Sequence, residues 1–215
     1  MFCLTPLPAH VFDKLIGRTE YVRKAMKKRG HLQPLIVPSS DQKGDGLWRD
    51  QILLAADAVI LAALDMLVET GAARGVVDRV MRDIQLEIIS RFNALDDGEQ
   101  VHLALAHDSR RWVVLTAATV AEAINVVADH FATGSGTEPP KVAFYCVPLH
   151  QAYATVRRRA EQHQVEFPAR IWPTPEELDA GADLLAAVIA PRTSPVIEQW
   201  QAMREREASP IVAVS

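Results

Sequence analysis

The apolar positions of this 215-residue chain change period near residue 100, and that change limits the folds open to it. From residue 50 to about residue 92 they recur at intervals of three and four. Ile52, Leu53, Ala56, Val59, Ile60, Ala63, Leu64 and Leu67 form one helical face. Glu69-Thr70-Gly71 breaks the pattern, and Val76, Val77, Val80, Met81, Ile84, Ile88 and Phe92 form a second face. Residues 101–106 and 112–116 are then β-rich, separated by the polar turn His107-Asp108-Ser109-Arg110. Thr119-Val120-Ala121-Glu122 is a capping box that opens a helix to about Phe131. Residues 133–140 form a Gly/Pro loop, residues 142–147 a further strand, and Leu149–Gln162 a helix. A second capping box, Thr174-Pro175-Glu176-Glu177, opens a helix to about Ile189. Residues 196–207 read as a last helix before the short apolar tail at 211–214. Helices followed by mixed strands and helices predict an α+β chain. The acidic stretch at 93–100 divides it into two expected domains, residues 1–95 and residues 96–215.

Hydrophobic residues make up 49% of the chain, enough for a real core. The net charge of −4 is unevenly spread: residues 1–50 carry nine Lys and Arg against five Asp and Glu, a net of +4, and the remainder carries 14 against 22, a net of −8. Such asymmetry suits a molecule with one end facing an anion. The two cysteines, Cys3 and Cys146, make no disulfide framework, so a reducing compartment is expected. The first residues lack a basic and then apolar leader. The longest apolar run, residues 52–64, is interrupted by Asp57 and is too short for a bilayer. These features predict a soluble cytoplasmic protein with no membrane partner.

The positive end has a definite outline. Thr5 and Pro6 sit where a cap and first-turn proline belong, and Val11, Phe12, Leu15 and Ile16 give a first short helix its apolar face. Gly17 allows a tight turn. Thr19 then caps a helix that ends at Gly30. From Lys14 to Gly30 the cations are Lys14, Arg18, Arg23, Lys24, Lys27, Lys28 and Arg29, against the single acid Glu20. Residues 32–38 are extended, 39–46 are polar and turn-forming, and Leu47-Trp48-Arg49 returns, which reads as a small hairpin wing. Two short helices around a tight turn outline a helix-turn-helix. A helix of this length fits the major groove, with Arg18, Glu20, Tyr21 and Lys24 placed to meet base edges. Arg23, Lys27, Lys28 and Arg29 would meet phosphates, and Lys43 at the wing tip would reach a neighbouring phosphate or the minor groove. The same cations also suit an ordinary solvated helix face.

Residues 7–92 resemble the DNA-binding region of the MerR-like winged-helix family. The resemblance rests on the basic helix with Val22-Arg23, and on Gly30-His31-Leu32-Gln33-Pro34, similar to the family's Gly-Leu-x-Pro. It rests also on Leu47-Trp48-Arg49-Asp50 entering the next helix, and on the helices either side of Gly71. The resemblance implies an N-terminal winged helix-turn-helix with two further helices, followed by a small α+β domain that dimerises or senses a ligand. It implies a transcriptional regulator that binds double-stranded DNA as a homodimer. The helix containing Val76 and Phe92 is the first candidate for the dimer interface, or packs within its own domain. The family's paired aromatics are replaced here by Lys24-Ala25. With the acidic second half, this keeps a second reading open: a degenerate winged helix serving as a protein-interaction or scaffold factor.

Other chemistry is sparse. His102 and His107 fall on a strand and turn where they would not share a face, and Pro148 separates Cys146 from His150, so no metal or cofactor is expected. Gly134-Ser135-Gly136-Thr137 lacks the lysine of a phosphate loop, and no nucleophile elbow or zinc-protease motif occurs. No catalytic residue is assigned. Trp112, Tyr145, Tyr153 and Trp172 suit a core or interface more than a pocket. Arg157-Arg158-Arg159 suits a solvated helix end, an extended DNA contact or an acidic partner.

Overall fold

The computed structural model describes residues 7–35, 53–107, 112–132 and 143–167. The wing with Lys43, the turn at 108–111, the loop at 133–140, Trp172 and the helices expected beyond residue 168 lie outside the described residues.

Helix α1 (Ala9–Ile16) ends at Gly17, whose φ of 64° lies in the left-handed region that favours glycine. Helix α2 (Glu20–Lys28) begins after Thr19, whose hydroxyl accepts from the Val22 N–H at 3.4 Å. It closes through the His31 N–H to the Met26 carbonyl, with Gly30 at φ 75°. Helix α3 (Ala55–Glu69) is almost wholly buried and stops before Gly71, φ 103°.

The single helix expected around residues 76–92 is instead three: α4 (Arg74–Arg79), α5 (Met81–Ser90) and α6 (Phe92–Asp96). The chain bends at Val80 and Arg91, which take φ,ψ near −101°, 15° and −106°, 3°. A straight helix would carry its apolar stripe off the core. The bends keep Val77, Val80, Met81, Ile84, Ile88, Phe92 and Leu95 buried. The stretch offered as a dimer interface is thus used within the molecule, and part of the expected acidic linker is helical.

Strands β1 (His102–His107), β2 (Trp112–Ala117) and β3 (Ala143–Pro148) form an antiparallel sheet in the order β2-β1-β3. Alternation gives β1 two apolar faces. Leu103 and Leu105, with Val147 of β3, join the helical core. Ala104 and Ala106 face the other way, under α7 (Val120–Ala132). Ala104, Ala117 and Ala123 pack together there, and Ala106 packs with Val127 and Phe131. Small side chains at this layer let the helix approach the sheet closely. The Glu122 N–H bonds the Thr119 hydroxyl at 3.1 Å, and the Glu122 carboxylate accepts from the Ala118 N–H at 2.9 Å, so the box closes one residue early. Helix α8 (Leu149–Gln162) follows β3 without a loop. It packs on α1 and α3, which carries Tyr153, Val156 and Ala160 into one apolar cluster with Phe12, Leu15 and Leu64. The described residues form a mixed helix and sheet molecule, and this shared core includes residues from both sides of position 95. Each fully buried Leu, Ile or Phe in it contributes roughly 1.5–3 kcal/mol.

A candidate nucleic-acid interface

Helix α2 is amphipathic but shallowly seated. None of its side chains is fully buried; Val22, Ala25 and Met26 are half-buried, and Tyr21 is 82% exposed. Among the described residues it is the most exposed of the large apolar side chains. Tyr21, Lys24 and Lys28 stand at intervals of three and four and so share one face. Lys27 and Arg29 are exposed at the same end of the helix. Lys24 Nζ lies 2.6 Å from Glu20 Oε1. The hydrogen bond and charge of Lys24 hold the Glu20 carboxyl below its usual range. Both partners are open to water, so this pair adds little to stability and can yield to another anion.

Arg18 and Arg23 are placed differently. Arg23 Nε is 2.6 Å from Asp13 Oδ1, and both side chains are only 12% exposed. The pair fastens α2 to α1. Arg18 is 2.8 Å from Asp65 of α3. Asp65 lies 3.6 Å from Arg74, Arg74 lies 3.0 Å from Asp78, and Asp78 lies 2.9 Å from His31 Nδ1. Arg74 also donates to the His31 carbonyl at 2.8 Å. This chain of charges clamps the entrance and exit of α2 onto α3 and α4. Of the residues expected at a DNA contact, the structure groups Tyr21, Lys24 and Lys28, with Lys27 and Arg29 beside them. It gives Arg18 and Arg23 intramolecular partners, and Lys43 lies outside the described residues. The acids Asp13, Asp65 and Asp78 were not singled out by sequence reasoning. Only the Arg74 and Asp78 pair, four apart on one helix, had a local signal.

The segment leaving α2 is anchored by Asp57. Its two oxygens accept from the Leu35 and Leu54 N–H groups, each at 2.9 Å. One carboxylate thus holds the residue where the described chain leaves α2 and the residue where it enters α3. Burial pushes Asp57 up to about 7, against the opposing pull of those two N–H bonds. Gln85 adds a further tie, donating to the Gln33 carbonyl at 2.7 Å.

The second half is knitted by neutral and ionic contacts. Thr116 links Glu87 at 2.9 Å and Arg91 at 3.1 Å, and burial raises the Glu87 carboxyl. Arg157 meets Asp96 and Glu161, Arg158 is exposed, and Arg159 reaches the Leu15 carbonyl at 3.3 Å. Trp112 and Tyr145 pack at the edge of the main core; Tyr153 is buried with its hydroxyl donating to Asp96 at 2.7 Å. His102 and His107 lie at alternate positions of opposite parity on β1, so they take opposite faces. His102 instead meets the His150 ring edge-on at 5.4 Å. Both rings approach backbone carbonyls through Nδ1, Ala118 at 3.1 Å and Val101 at 3.0 Å. No group of three or more metal-ligating side chains occurs among the described residues, and no described helix is long and apolar enough to cross a membrane.

No protein-family model matches this chain, and comparison with curated proteins finds no match.

Proposed function

We propose that the protein is a DNA-binding transcriptional regulator that presents α2 to the major groove of duplex DNA. The observation that carries this reading is the state of α2. It is clamped at both ends by the charges of Asp13, Asp65 and Asp78, yet its face of Tyr21, Lys24 and Lys28 stands open. A rigidly held, solvent-facing cationic helix is the arrangement that phosphate contacts require. The internal pairs of Arg18 and Arg23 assign those residues to orienting the helix. Lys24, Lys27, Lys28 and Arg29 supply the charge. In this reading α1, its glycine turn and α2 form a helix-turn-helix of the MerR-like winged kind, with Lys43 on the wing, and two copies bind together. One module reads too few base pairs for useful specificity.

The test is binding to a pool of random duplex DNA by fluorescence anisotropy across a salt series, followed by selection. Four neutralised phosphates give a slope of about −3.6 in log K against log salt, or roughly a hundredfold loss between 50 and 200 mM. The double substitution Lys24→Glu with Lys28→Glu abolishes binding under this proposal. Absence of binding by the unaltered chain at low salt would remove it.

A second reading, a protein-interaction factor, is favoured by α7, where Val120 and Ile124, one turn apart, are 43% and 50% exposed. Under it the Lys24 and Lys28 changes leave partner binding intact, whereas Ile124→Glu destroys it.

A further inference from the structure

Between α3, α8 and the turn joining α1 to α2 lies an open cleft of about 340 Å³. Its origin is visible in the sequence of the two helices. Ala62, Asp65, Met66 and Glu69 stand at intervals of three and four on α3, and Gln151, Thr155 and Arg159 stand one turn apart on α8. Where these two stripes face each other, Ala62 and Ala152 are too short to fill the space. The floor is therefore apolar, completed by Ile16 and Met66, and the rim is polar.

Arg159 is the odd member of the rim. The neighbouring Arg157 has two carboxylate partners, Asp96 and Glu161. Arg159 is half-buried, and its one partner among the described residues is the Leu15 carbonyl, at a long 3.3 Å. A guanidinium carries five N–H donors in a planar fork that matches a carboxylate. Among the described residues most of that capacity is unspent, and it borders a cleft. Its seat is made by Gly17: a Cβ on that residue would lie 3.0 Å from the Arg159 Cζ. The side chains of Thr155 and Gln151, on the same stripe, also have no hydrogen-bond partner among the described residues.

We propose that this cleft binds a small organic monocarboxylate. The carboxylate pairs with the Arg159 fork, Thr155 and Gln151 supply flanking hydrogen bonds, and the carbon body lies on Ala62, Met66 and Ala152. The acids Asp65 and Glu69 on the opposite rim disfavour a dianionic phosphate. Gly17 and Arg18 also border the cleft, and they join α1 to the basic helix. On the reading of the chain as a DNA-binding protein, an occupant here is therefore its effector.

The experiment is titration calorimetry of the full chain, without DNA, with benzoate and hexanoate. Benzyl alcohol, hexanol and inorganic phosphate serve as comparisons. Saturable binding of a carboxylate is expected, with the matching alcohol and phosphate at least tenfold weaker. Arg159→Gln should weaken carboxylate binding at least tenfold. Thr155→Trp, which fills the cleft and keeps the guanidinium, should do the same, and it decides the matter where Arg159→Gln fails to fold. No saturable binding, equal binding of the alcohols, tighter binding of phosphate, or carboxylate binding unchanged in a folded variant overturns the proposal. Anisotropy on DNA with saturating carboxylate then tests the effector role, where a shift in affinity of about fivefold or more is expected. An unshifted affinity overturns the effector role. Absence of any DNA binding removes the DNA reading and leaves the carboxylate site standing.

Discussion

Asp13 and Arg23 are each 12% exposed and 2.6 Å apart, so neither can lose its partner cheaply. Removing one leaves a poorly hydrated charge, whereas replacing both by apolar residues of similar size does not. Arg23→Met alone should cost about 3 kcal/mol in urea unfolding, and Asp13→Leu with Arg23→Met should recover most of it. Asp57 makes a different prediction, because its folded value of about 7 lies above the ordinary 3.8. The folded state then holds a proton that the unfolded chain has already released. The stabilisation is complete below pH 4 and is lost as pH rises to 7. Asp57→Asn cannot titrate, and its amide turns a donor toward one of the two N–H groups. The Tm gap between the unaltered chain and this variant should be widest near pH 4 and narrow toward pH 7 and above. A gap that grows with pH would contradict the burial argument. None of this was visible in the sequence. Asp57 stood there as an interruption in an apolar run: its bond to the Leu54 N–H is local to the start of α3, but its bond to the Leu35 N–H spans 22 positions.

Helix α2 was legible as an element because its signals are local. The Thr19 cap, the apolar spacing of Val22, Ala25 and Met26, and the stop at Gly30 all lie within one short stretch. The same holds for α8, whose bounds of Leu149–Gln162 match the sequence reading, and for the cap at Thr119. The fate of individual cations was not legible, because Arg18 finds Asp65 across 47 positions and Arg23 finds Asp13 on the preceding helix. Periodicity also misses bends: Val80 and Arg91 leave the apolar spacing of residues 76–92 intact while dividing the helix in three. The turn between α1 and α2 carries its own prediction. At Gly17, φ of 64° disfavours any side chain by about 1–2 kcal/mol, and a Cβ there would crowd the Arg159 guanidinium at 3.0 Å. Gly17→Ala should lower the free energy of unfolding in urea by at least that amount, and with it the midpoint. An unchanged midpoint would show that the turn relaxes and that Arg159 is not seated on it.

At the scale of the whole molecule, the described helices are tied together by α8. Its buried residues Tyr153, Val156 and Ala160 share a cluster with Phe12 and Leu15 of α1 and with α3, so the first 95 residues do not own their core. A chain ending at residue 96 would expose that apolar surface. Far-UV circular dichroism should show it largely unfolded, and a cooperative unfolding transition from that fragment would contradict a shared core. The charge asymmetry, a net of +4 in residues 1–50 against −8 in the rest, is meaningful at this scale because Arg23 of α2 and Arg18 before it draw their partners from α1 and α3, while the exposed Lys24 meets Glu20 on its own helix. The open positive face therefore survives the folding of an acidic chain. The direct measurement is the salt dependence of binding to a duplex selected from random DNA, for the unaltered chain and for Lys24→Gln with Lys28→Gln. The account predicts a slope of about −3.6 that falls to about −1.8 in the double variant. Equal slopes, or no binding at low salt, would contradict the assignment of α2 as the surface that meets DNA.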